Sequence, residues 1–255
     1  MTLASWYEAH GRHDLPWRLT RDRWAILVSE VMLHQTQVPR VAAVYDAFLA
    51  RFPTPTAMAD GGPAAVISAW GRLGYPRRAR RLYDTAVVVR DHGWPDDLST
   101  LPGIGRYTAA AIVAQADDVD VPAIEVNIRR VAERVTGARL SDRAAEDATV
   151  RIGRPLRGRD RLLALMDVGA LLCRPRDPRC GECPLRRRCA TRGPLPDETR
   201  HRQAPFAGSF RQRRGEVMAR LRAGTAPARE LDTEALASLV DDGLAVVVRG
   251  RARLP

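Results

Sequence analysis

Apolar residues recur at intervals of three and four positions from residue 1 to about residue 195, and proline or glycine separates one such stretch from the next. This spacing is typical of amphipathic helices, because it places apolar side chains on one face. No convincing alternation with a period of two residues occurs there. The pattern therefore predicts an all-α fold. The predicted helices lie at WAILVSEVML, RVAAVYDAFLARF, PAAVISAWGRL, ARRLYDTAVVVRDHG, RYTAAAIVAQ, NIRRVAERVTG and RDRLLALMDVGALLC.

The pattern changes after this helical region. Residues 191–209 are polar and rich in proline and arginine, as in a linker. Residues 210–255 hold two helix-like stretches and then the β-branched run LAVVVRGRARLP, whose glycine can turn a hairpin. We expect a small α/β module that resembles a winged helix, and a simple docking tail is the alternative. The predicted domains are 1–190, the linker 191–209 and the module 210–255.

The composition predicts a protein that is neither exported nor embedded in a membrane. The chain has 255 residues, 45% of them hydrophobic, which is enough for a sizeable core. No apolar run reaches membrane-spanning length, and the start MTLASWYEAH lacks the charged and apolar regions of a signal peptide. We expect a cytoplasmic, monomeric protein with no membrane partner.

The net charge of +11 is carried without a single lysine, so all 41 basic side chains are arginine. Such an excess favours a polyanionic partner, most often nucleic acid, because neutralised phosphates release counterions. An arginine-rich genome is the other explanation of the count. The absence of lysine also removes the side chain that normally forms an imine in DNA-cleaving lyases, which leaves the N-terminal amine.

All four cysteines lie in the segment CRPRDPRCGECPLRRRC, with the spacing C-x6-C-x2-C-x5-C. In an unexported protein such a cluster indicates a metal site more than disulfides. Four thiolates suit either zinc or a [4Fe–4S] cluster. Zinc ribbons usually pair two CxxC knuckles and only one is present, so the spacing favours the cluster. The predicted ligands are Cys173, Cys180, Cys183 and Cys189.

Three arginines lie between the first two cysteines, namely Arg174, Arg176 and Arg179. A loop fixed by a metal and carrying arginines would contact DNA phosphates well. The alternative is that these charges only offset the negative charge of the cluster.

The string LPGIGRYTAAAIVA carries two glycines directly before an apolar helix. Glycine permits a tight turn, and the free N–H groups at a helix N-terminus can hold a phosphate. We therefore predict that Gly103, Gly105 and Arg106 contact the DNA backbone without reading its sequence. A lone GxG would also suit an ordinary corner between two helices.

LPGIGRYTA, followed by VPAIEVNIRRV and then by the four-cysteine loop, resembles the helix-hairpin-helix base-excision DNA glycosylases that carry an iron–sulfur cluster. WYEAHGRHDLPWR, SEVMLHQTQVPRV and WGRLGYPRRARRL are similar to the MutY-type adenine glycosylases, and the resemblance covers residues 5 to about 190 in unbroken order. It implies a two-lobed helical fold with the cluster loop at 173–189. It also implies double-stranded DNA with a mismatch or oxidised base as partner.

The resemblance also implies catalytic roles for particular residues. Glu30 in SEVML matches the acid that protonates the purine, which requires a raised pKa that apolar neighbours can supply. A helical glutamate is otherwise most often a surface residue. Tyr107 occupies the place where strand-cleaving relatives carry lysine, so base removal without lyase activity is expected. Asn127 matches a residue that orients a carboxylate and water.

Leu33, Gln35 and Gln37 match positions where the family inserts side chains into the base stack to extrude the base. Without the resemblance, the two glutamines would be interpreted as solvated polar residues of a helix.

Two departures from the family pattern matter for function. Glu125 stands where the family ordinarily has the aspartate that stabilises or attacks the oxocarbenium-like sugar. Glutamate adds one methylene, and a displacement of about 1 Å can cost on the order of 10²-fold in rate. In addition, 46 residues follow Ser209, too few for the Nudix-like domain with which longer members recognise 8-oxoguanine.

The expected reaction is hydrolysis of the N-glycosidic bond of adenine opposite 8-oxoguanine or guanine, which leaves an abasic site. A glycosylase for thymine or uracil opposite guanine, on the same scaffold, is the alternative enzyme. The alternative of another class is a non-catalytic protein that binds lesions or mismatches.

Overall fold

The computed structural model describes residues 1–196, 198 and 205–255. Helix accounts for 60% of the structure and the few strands are confined to the C-terminal end, so the predicted all-α class with a small α/β tail is confirmed. Part of the predicted linker 191–209 lies outside the described residues, and its assignment stays a prediction. Among the described residues, no helix is both long and apolar enough to cross a membrane.

Eleven α-helices and three strands occur in the described ranges. The helices are α1 (Leu3–His10), α2 (Arg23–Leu33), α3 (Val38–Arg51), α4 (Pro55–Trp70), α5 (Arg77–His92), α6 (Arg106–Ala116), α7 (Val126–Thr136), α8 (Asp142–Gly153), α9 (Gly158–Asp167), α10 (Phe210–Ala223) and α11 (Thr233–Asp241). The strands are β1 (Ala226–Pro227), β2 (Val246–Val248) and β3 (Arg251–Arg253). A π-helical turn, Val168–Leu172, continues α9.

Polar residues at the helix starts explain several of these boundaries. Thr2, Ser141, Ser209 and Asp232 each accept a hydrogen bond from a backbone N–H in the first turn of the helix that follows. Each such cap satisfies a donor that has no partner within the helix and typically contributes about 1 kcal/mol. Helix α7 ends just before Gly137, whose backbone adopts the left-handed conformation typical of a helix C-terminus.

The first compact unit comprises residues 1–30 and the described residues from Ile104 to 198. Helices α6, α7 and α8 and the N-terminal α1 pack around α9 and its π-helical extension. The fully buried Asp167 at the end of α9 forms ion pairs with Arg12 at 2.6 Å and with Arg18 at 2.7 Å. Ion pairing offsets the cost of burying the Asp167 carboxylate, so this contact fixes the N-terminal segment against α9.

The second compact unit comprises Val31–Gly103 and the described residues from 205 to Pro255. Helices α4 and α5 form its most extensive helix–helix contact. Helix α4 is kinked at Gly62, where φ is +77° and the next residue is proline. Pro63 cannot supply a helical N–H, which explains why the kink falls there.

The C-terminal module contains α10, β1, α11, β2 and β3 in that order, and its strands form an antiparallel sheet in the order β1-β3-β2. The module also contacts α5, because Asp242 pairs with Arg77 at 2.5 Å and the Gly243 carbonyl accepts from Arg80 at 3.0 Å. The module therefore has its own sheet and also contacts α5, and its resemblance to a winged helix stays a prediction.

Candidate active site

Glu30 is a buried carboxyl group, 3% exposed, near the end of α2. Its Oε2 accepts a hydrogen bond from the Tyr107 hydroxyl at 3.1 Å, and its Oε1 accepts from the Gln115 side-chain amide at 2.7 Å. Both partners lie on α6. The glutamate that the SEVML motif singles out is therefore not a surface residue, and it is held at both oxygens.

Burial is the main reason that the pKa of Glu30 lies above its ordinary value. The hydrogen bonds from Gln115 and Tyr107 favour the charged form and oppose this rise, while the negative charge of Glu125 adds to it. The pKa of Tyr107 is also well above its usual value, first because of burial and then because of the charge on Glu30. Tyr107 thus remains a proton donor to the carboxylate at neutral pH.

Glu125 is the N-cap residue of α7. One carboxylate oxygen accepts from the backbone N–H of Ile128 at 2.9 Å, and the other accepts from the Asn127 amide at 2.9 Å. Burial raises the pKa of Glu125, and the hydrogen bonds from Asn127 and Ile128 oppose the rise. The carboxylate of Glu125 is thus held at both oxygens.

A chain of hydrogen bonds connects this carboxylate with the cysteine loop. The Asn127 side-chain oxygen accepts from Arg130 at 2.7 Å, and Arg130 also donates to the backbone carbonyls of Gly169 at 2.8 Å and Cys173 at 2.7 Å. A Cβ atom at Gly169 would lie 2.7 Å from that of Asn127, so the close approach requires glycine. Asn127 is consequently oriented from the side of the cysteine loop.

The sequence motifs did not identify Gln115 or Arg130 as site residues, although the two lie within RYTAAAIVAQ and VPAIEVNIRRV. Gln115 follows Tyr107 by eight residues, which places both on one face of α6, and it is a single amide in an apolar run. Arg130 follows Asn127 by three residues on α7. A polar residue at helical spacing from a predicted catalytic residue was the signal that could have identified them.

Comparison with known proteins gives matches over most of the chain. Residues 28–154 match the family described as HhH-GPD superfamily base excision DNA repair protein. An adenine DNA glycosylase of Mycolicibacterium smegmatis is 42% identical over 268 residues, which span 95% of this chain and 90% of that protein. One from Mycobacterium tuberculosis is 40% identical over 282 residues, spanning 99% and 92%. The chain belongs to the adenine DNA glycosylases of the HhH-GPD superfamily.

Solved structures of the superfamily share the fold of this adenine glycosylase. A thermostable thymine-DNA glycosylase aligns with a TM-score of 0.67 and 28% identity, covering 74% of this chain and 92% of that chain. An endonuclease III in complex with DNA aligns with a TM-score of 0.64 and 22% identity, covering 74% and 91%. At that identity, the second similarity bears on the fold alone.

The four cysteines of the glycosylase line one cavity of about 400 Å³, part of which is open solvent. Nitrogen donors face two of the sulfurs, since Arg134 approaches Cys173 Sγ at 3.6 Å and the backbone N–H of Arg192 donates to Cys189 Sγ at 3.4 Å. Burial raises the pKa of Cys183 to about 11, so a metal would have to displace its proton. Among the described residues, no three His, Cys, Asp or Glu side chains converge as ligands of one ion.

Leu33, Gln35 and Gln37 belong to the second unit, at the turn between α2 and α3. Leu33 ends α2, whereas Gln35 is exposed with φ +56° and Gln37 is the exposed N-cap residue of α3. The interpretation of both glutamines as helix polar groups is therefore wrong, because neither lies inside a helix. Arg78 donates to the carbonyls of Val31 at 2.8 Å and of Met32 at 2.9 Å, at the end of α2. It thereby holds the turn in place.

The two predicted hairpin glycines differ in what they require. Gly103 has φ +76°, and a Cβ atom there would lie 2.7 Å from the Arg81 side chain, so both its conformation and its packing require glycine. Gly105 has φ −88°, and a Cβ atom there would meet no neighbour, so the turn itself does not require glycine at this position. Arg106 is 78% exposed and pairs with Glu146 at 2.7 Å.

The arginines of the cysteine loop also differ. Arg176 and Arg179 are exposed, and Arg179 lies 3.9 Å from Glu182. Arg174 is half-buried and donates to the carbonyl of Asp177 at 2.8 Å. Arg176 and Arg179 are thus the more accessible cations, and Arg174 has a structural contact within the loop.

Proposed function

We propose that this adenine glycosylase removes adenine from double-stranded DNA by hydrolysing its N-glycosidic bond, with Glu30 as the acid. The buried Glu30, held by Tyr107 and Gln115 and influenced by the charge of Glu125, is the observation that carries the proposal. Glycoside hydrolysis commonly uses two carboxyl groups, one to protonate the leaving group and one to stabilise the sugar. The relatives at 40 to 42% identity point to adenine as the base.

In this mechanism Glu30 binds the extruded adenine and transfers a proton to a ring nitrogen. Burial raises the pKa of Glu30 and so favours the protonated form that donates to the base, and the protonated base leaves with the bonding electrons. Positive charge then develops on the sugar, and the carboxylate of Glu125 stabilises it. Water adds to C1′ and loses a proton, which completes the abasic site.

Tyr107 and the absence of lysine support base removal without strand cleavage. The Tyr107 hydroxyl donates a hydrogen bond to Glu30, and its pKa lies well above its usual value. A phenol of this kind cannot form the imine through which lyases cleave the strand. The chain carries no lysine that could form an imine with the abasic sugar. The product is therefore an intact strand with one abasic site.

We further propose that Leu33, Gln35 and Gln37 act on the base stack. The two exposed glutamines lie on a turn whose backbone is held by hydrogen bonds from Arg78. A rigid backbone suits side chains that enter the base stack of a duplex. Gly103, Gly105, Arg106, Arg174, Arg176 and Arg179 are proposed contacts to DNA phosphates.

A panel of short duplexes tests the substrate in single-turnover assays. We expect base release from A:8-oxoguanine and A:G pairs, and none from T:G, U:G or hypoxanthine pairs. The second candidate, thymine removal, is favoured by the similarity at 28% identity to a thymine-DNA glycosylase. Release from T:G with none from A:8-oxoguanine would establish that candidate instead. Tight mismatch binding without any release would establish the non-catalytic alternative.

We propose that the four cysteines hold a [4Fe–4S] cluster. In a zinc site all four sulfurs surround one ion at about 2.3 Å, whereas in a cluster each thiolate binds a different iron, which spreads the sulfurs apart. The four cysteines line one cavity, and their spacing has one CxxC pair where zinc ribbons usually have two, which favours the cluster. When bound, the cluster would cross-link the loop on which Arg130 and Arg134 rest.

Purified protein should consequently be brown, with broad absorbance near about 400 nm and about four irons per chain, as for clusters ligated by four thiolates. Replacing Cys183 with serine should remove most of the colour and iron and lower the melting temperature, because the cavity loses a ligand. Absorbance, iron content and thermal unfolding measure this. A colourless protein with one zinc per chain would refute the cluster.

A further inference from the structure

The β2–β3 hairpin of the C-terminal module, residues 246–253, contributes no residue to the candidate active site described above. We call these residues the wing. Residues 247 to 251 are all exposed, so the tip of the wing protrudes from the module. Val248 pairs with Arg251, which leaves Arg249 and Gly250 as a two-residue turn. Both have positive φ, +48° and +72°, as in a type I′ turn.

Arg249 is an unusual residue for this turn. The first central position of a type I′ turn favours asparagine, aspartate or glycine, because other side chains are strained at positive φ. An exposed arginine at such a position makes no contribution to the core. A non-glycine residue at positive φ often marks a functional position, and the exposed Arg249 side chain is accessible to a ligand.

Two further arginines stand beside it on the same hairpin. Arg251 and Arg253 are exposed and flank the buried Ala252, so both project from the outer face of β3. In the part of the chain that the structure describes, no ion pair involves any of the three wing arginines. Arg251 and Arg253 donate to backbone carbonyls of Thr225 at 3.3 Å and of Leu254 at 3.2 Å.

Three of the six carboxylates of the module form ion pairs with arginines outside the wing. Asp232 and Glu234 pair with Arg213 at 3.1 Å and 2.8 Å, and Asp242 pairs with Arg214 at 2.5 Å. Residues 243–255 contain no acidic residue at all. Within the described residues no ion pair offsets the positive charge of the wing, which favours an anionic partner.

We propose that the wing binds the phosphate backbone of double-stranded DNA through Arg249, Arg251 and Arg253. The proposal rests on the proposed function, which brings duplex DNA to this protein as substrate. The exposed side of α11 carries Glu234 and Asp241 and no arginine, so this helix is not the basic element that meets DNA. A contact to phosphates adds affinity and does not read sequence. The apolar exposed area, Val247 and Val248, is far too small for a protein interface.

Binding of full-length protein to an undamaged duplex at several salt concentrations tests the wing. We compare a single variant (Arg249→Asn), a double variant that adds Arg251→Gln and a triple variant that also adds Arg253→Gln. Each added substitution should raise Kd severalfold and lower the slope of log Kd against log salt concentration by about 0.9. Asparagine suits the turn, so the first variant keeps the wing folded. Arg90→Gln is the matched control, because Arg90 is paired with Asp60 and Asp91. It should leave the slope unchanged.

Wild-type Kd and slope in the triple variant would overturn the proposal, and so would an equal loss in the Arg90→Gln control. Adenine release by the wild-type protein is measured separately in the substrate panel. A failure there, together with a wing-dependent slope, would reject the proposed reaction and keep the wing as a DNA contact. Release of adenine by the wild type, together with an unchanged salt slope in the triple variant, would keep the proposed reaction and reject the wing as a DNA contact.

Discussion

Glu30→Gln is expected to lower the single-turnover rate of adenine release by at least about 10²-fold, and up to about 10⁴-fold, since proton transfer by a positioned acid contributes that range. Glutamine has nearly the same shape, so it still accepts from Tyr107 and fills the same buried space. DNA affinity should therefore remain nearly intact. A rate close to that of the wild type would remove Glu30 from the mechanism, and a large loss of affinity would make it structural.

The pH dependence gives an independent check on the same residue. Glu30 acts in its protonated form, so the rate is retained below its raised pKa and falls as pH rises through it. Gln115 donates to the ionised carboxylate and thereby lowers this pKa. Gln115→Leu should raise it and move the alkaline fall in rate to higher pH. A merely structural role for Gln115 would reduce the rate at every pH alike.

Gln115→Leu should leave the end of α6 in place. The backbone carbonyl of Gln115, which is unaffected by the substitution, accepts from Arg159 at 2.6 Å. Thermal unfolding of the variant measures whether this holds. An alkaline limb that moves to lower pH would contradict the direction assigned to the hydrogen bond.

The helical fold was predictable because the 3.6-residue period is a local property of the chain. Single members of the site could likewise be proposed from motifs, as for Glu30 and Glu125. Their surroundings could not, because the partners of Glu30 are 77 and 85 residues away in sequence. A lone amide in an apolar helix, such as Gln115, gives no sign of which buried group it will meet.

The hydrophobic pattern also could not predict structural features shorter than one helical turn. Strand β1 has two residues and is defined only by its pairing with β3. The left-handed backbone of Gln35 separates α2 from α3, whereas the local pattern alone suggested polar helix positions. In both places tertiary contacts, such as those of Arg78 with the end of α2, determine the local conformation.

Glu125→Gln is expected to lower the rate of adenine release by about 10² to 10³-fold, the loss typical when a charge that stabilises a transition state is removed. The glutamine carbonyl can still accept from the Ile128 N–H, so the N-cap of α7 is retained. The loss should therefore appear in single-turnover rates without a large change in melting temperature. A glutamine variant as fast as the wild type would show that the charge of Glu125 has no part in the reaction.

Glu125→Asp separates charge from length at the same position. Aspartate keeps the charge and is a preferred N-cap residue, but it is shorter by one methylene. Asn127 and Ile128 donate to the two oxygens of Glu125, and aspartate, as an N-cap residue, can still accept from the backbone N–H groups of the first turn. We expect base release to stay within about tenfold of the wild type, less than the 10²-fold that a displacement of about 1 Å can cost. An aspartate variant as slow as Glu125→Gln would show that this site depends on the longer side chain.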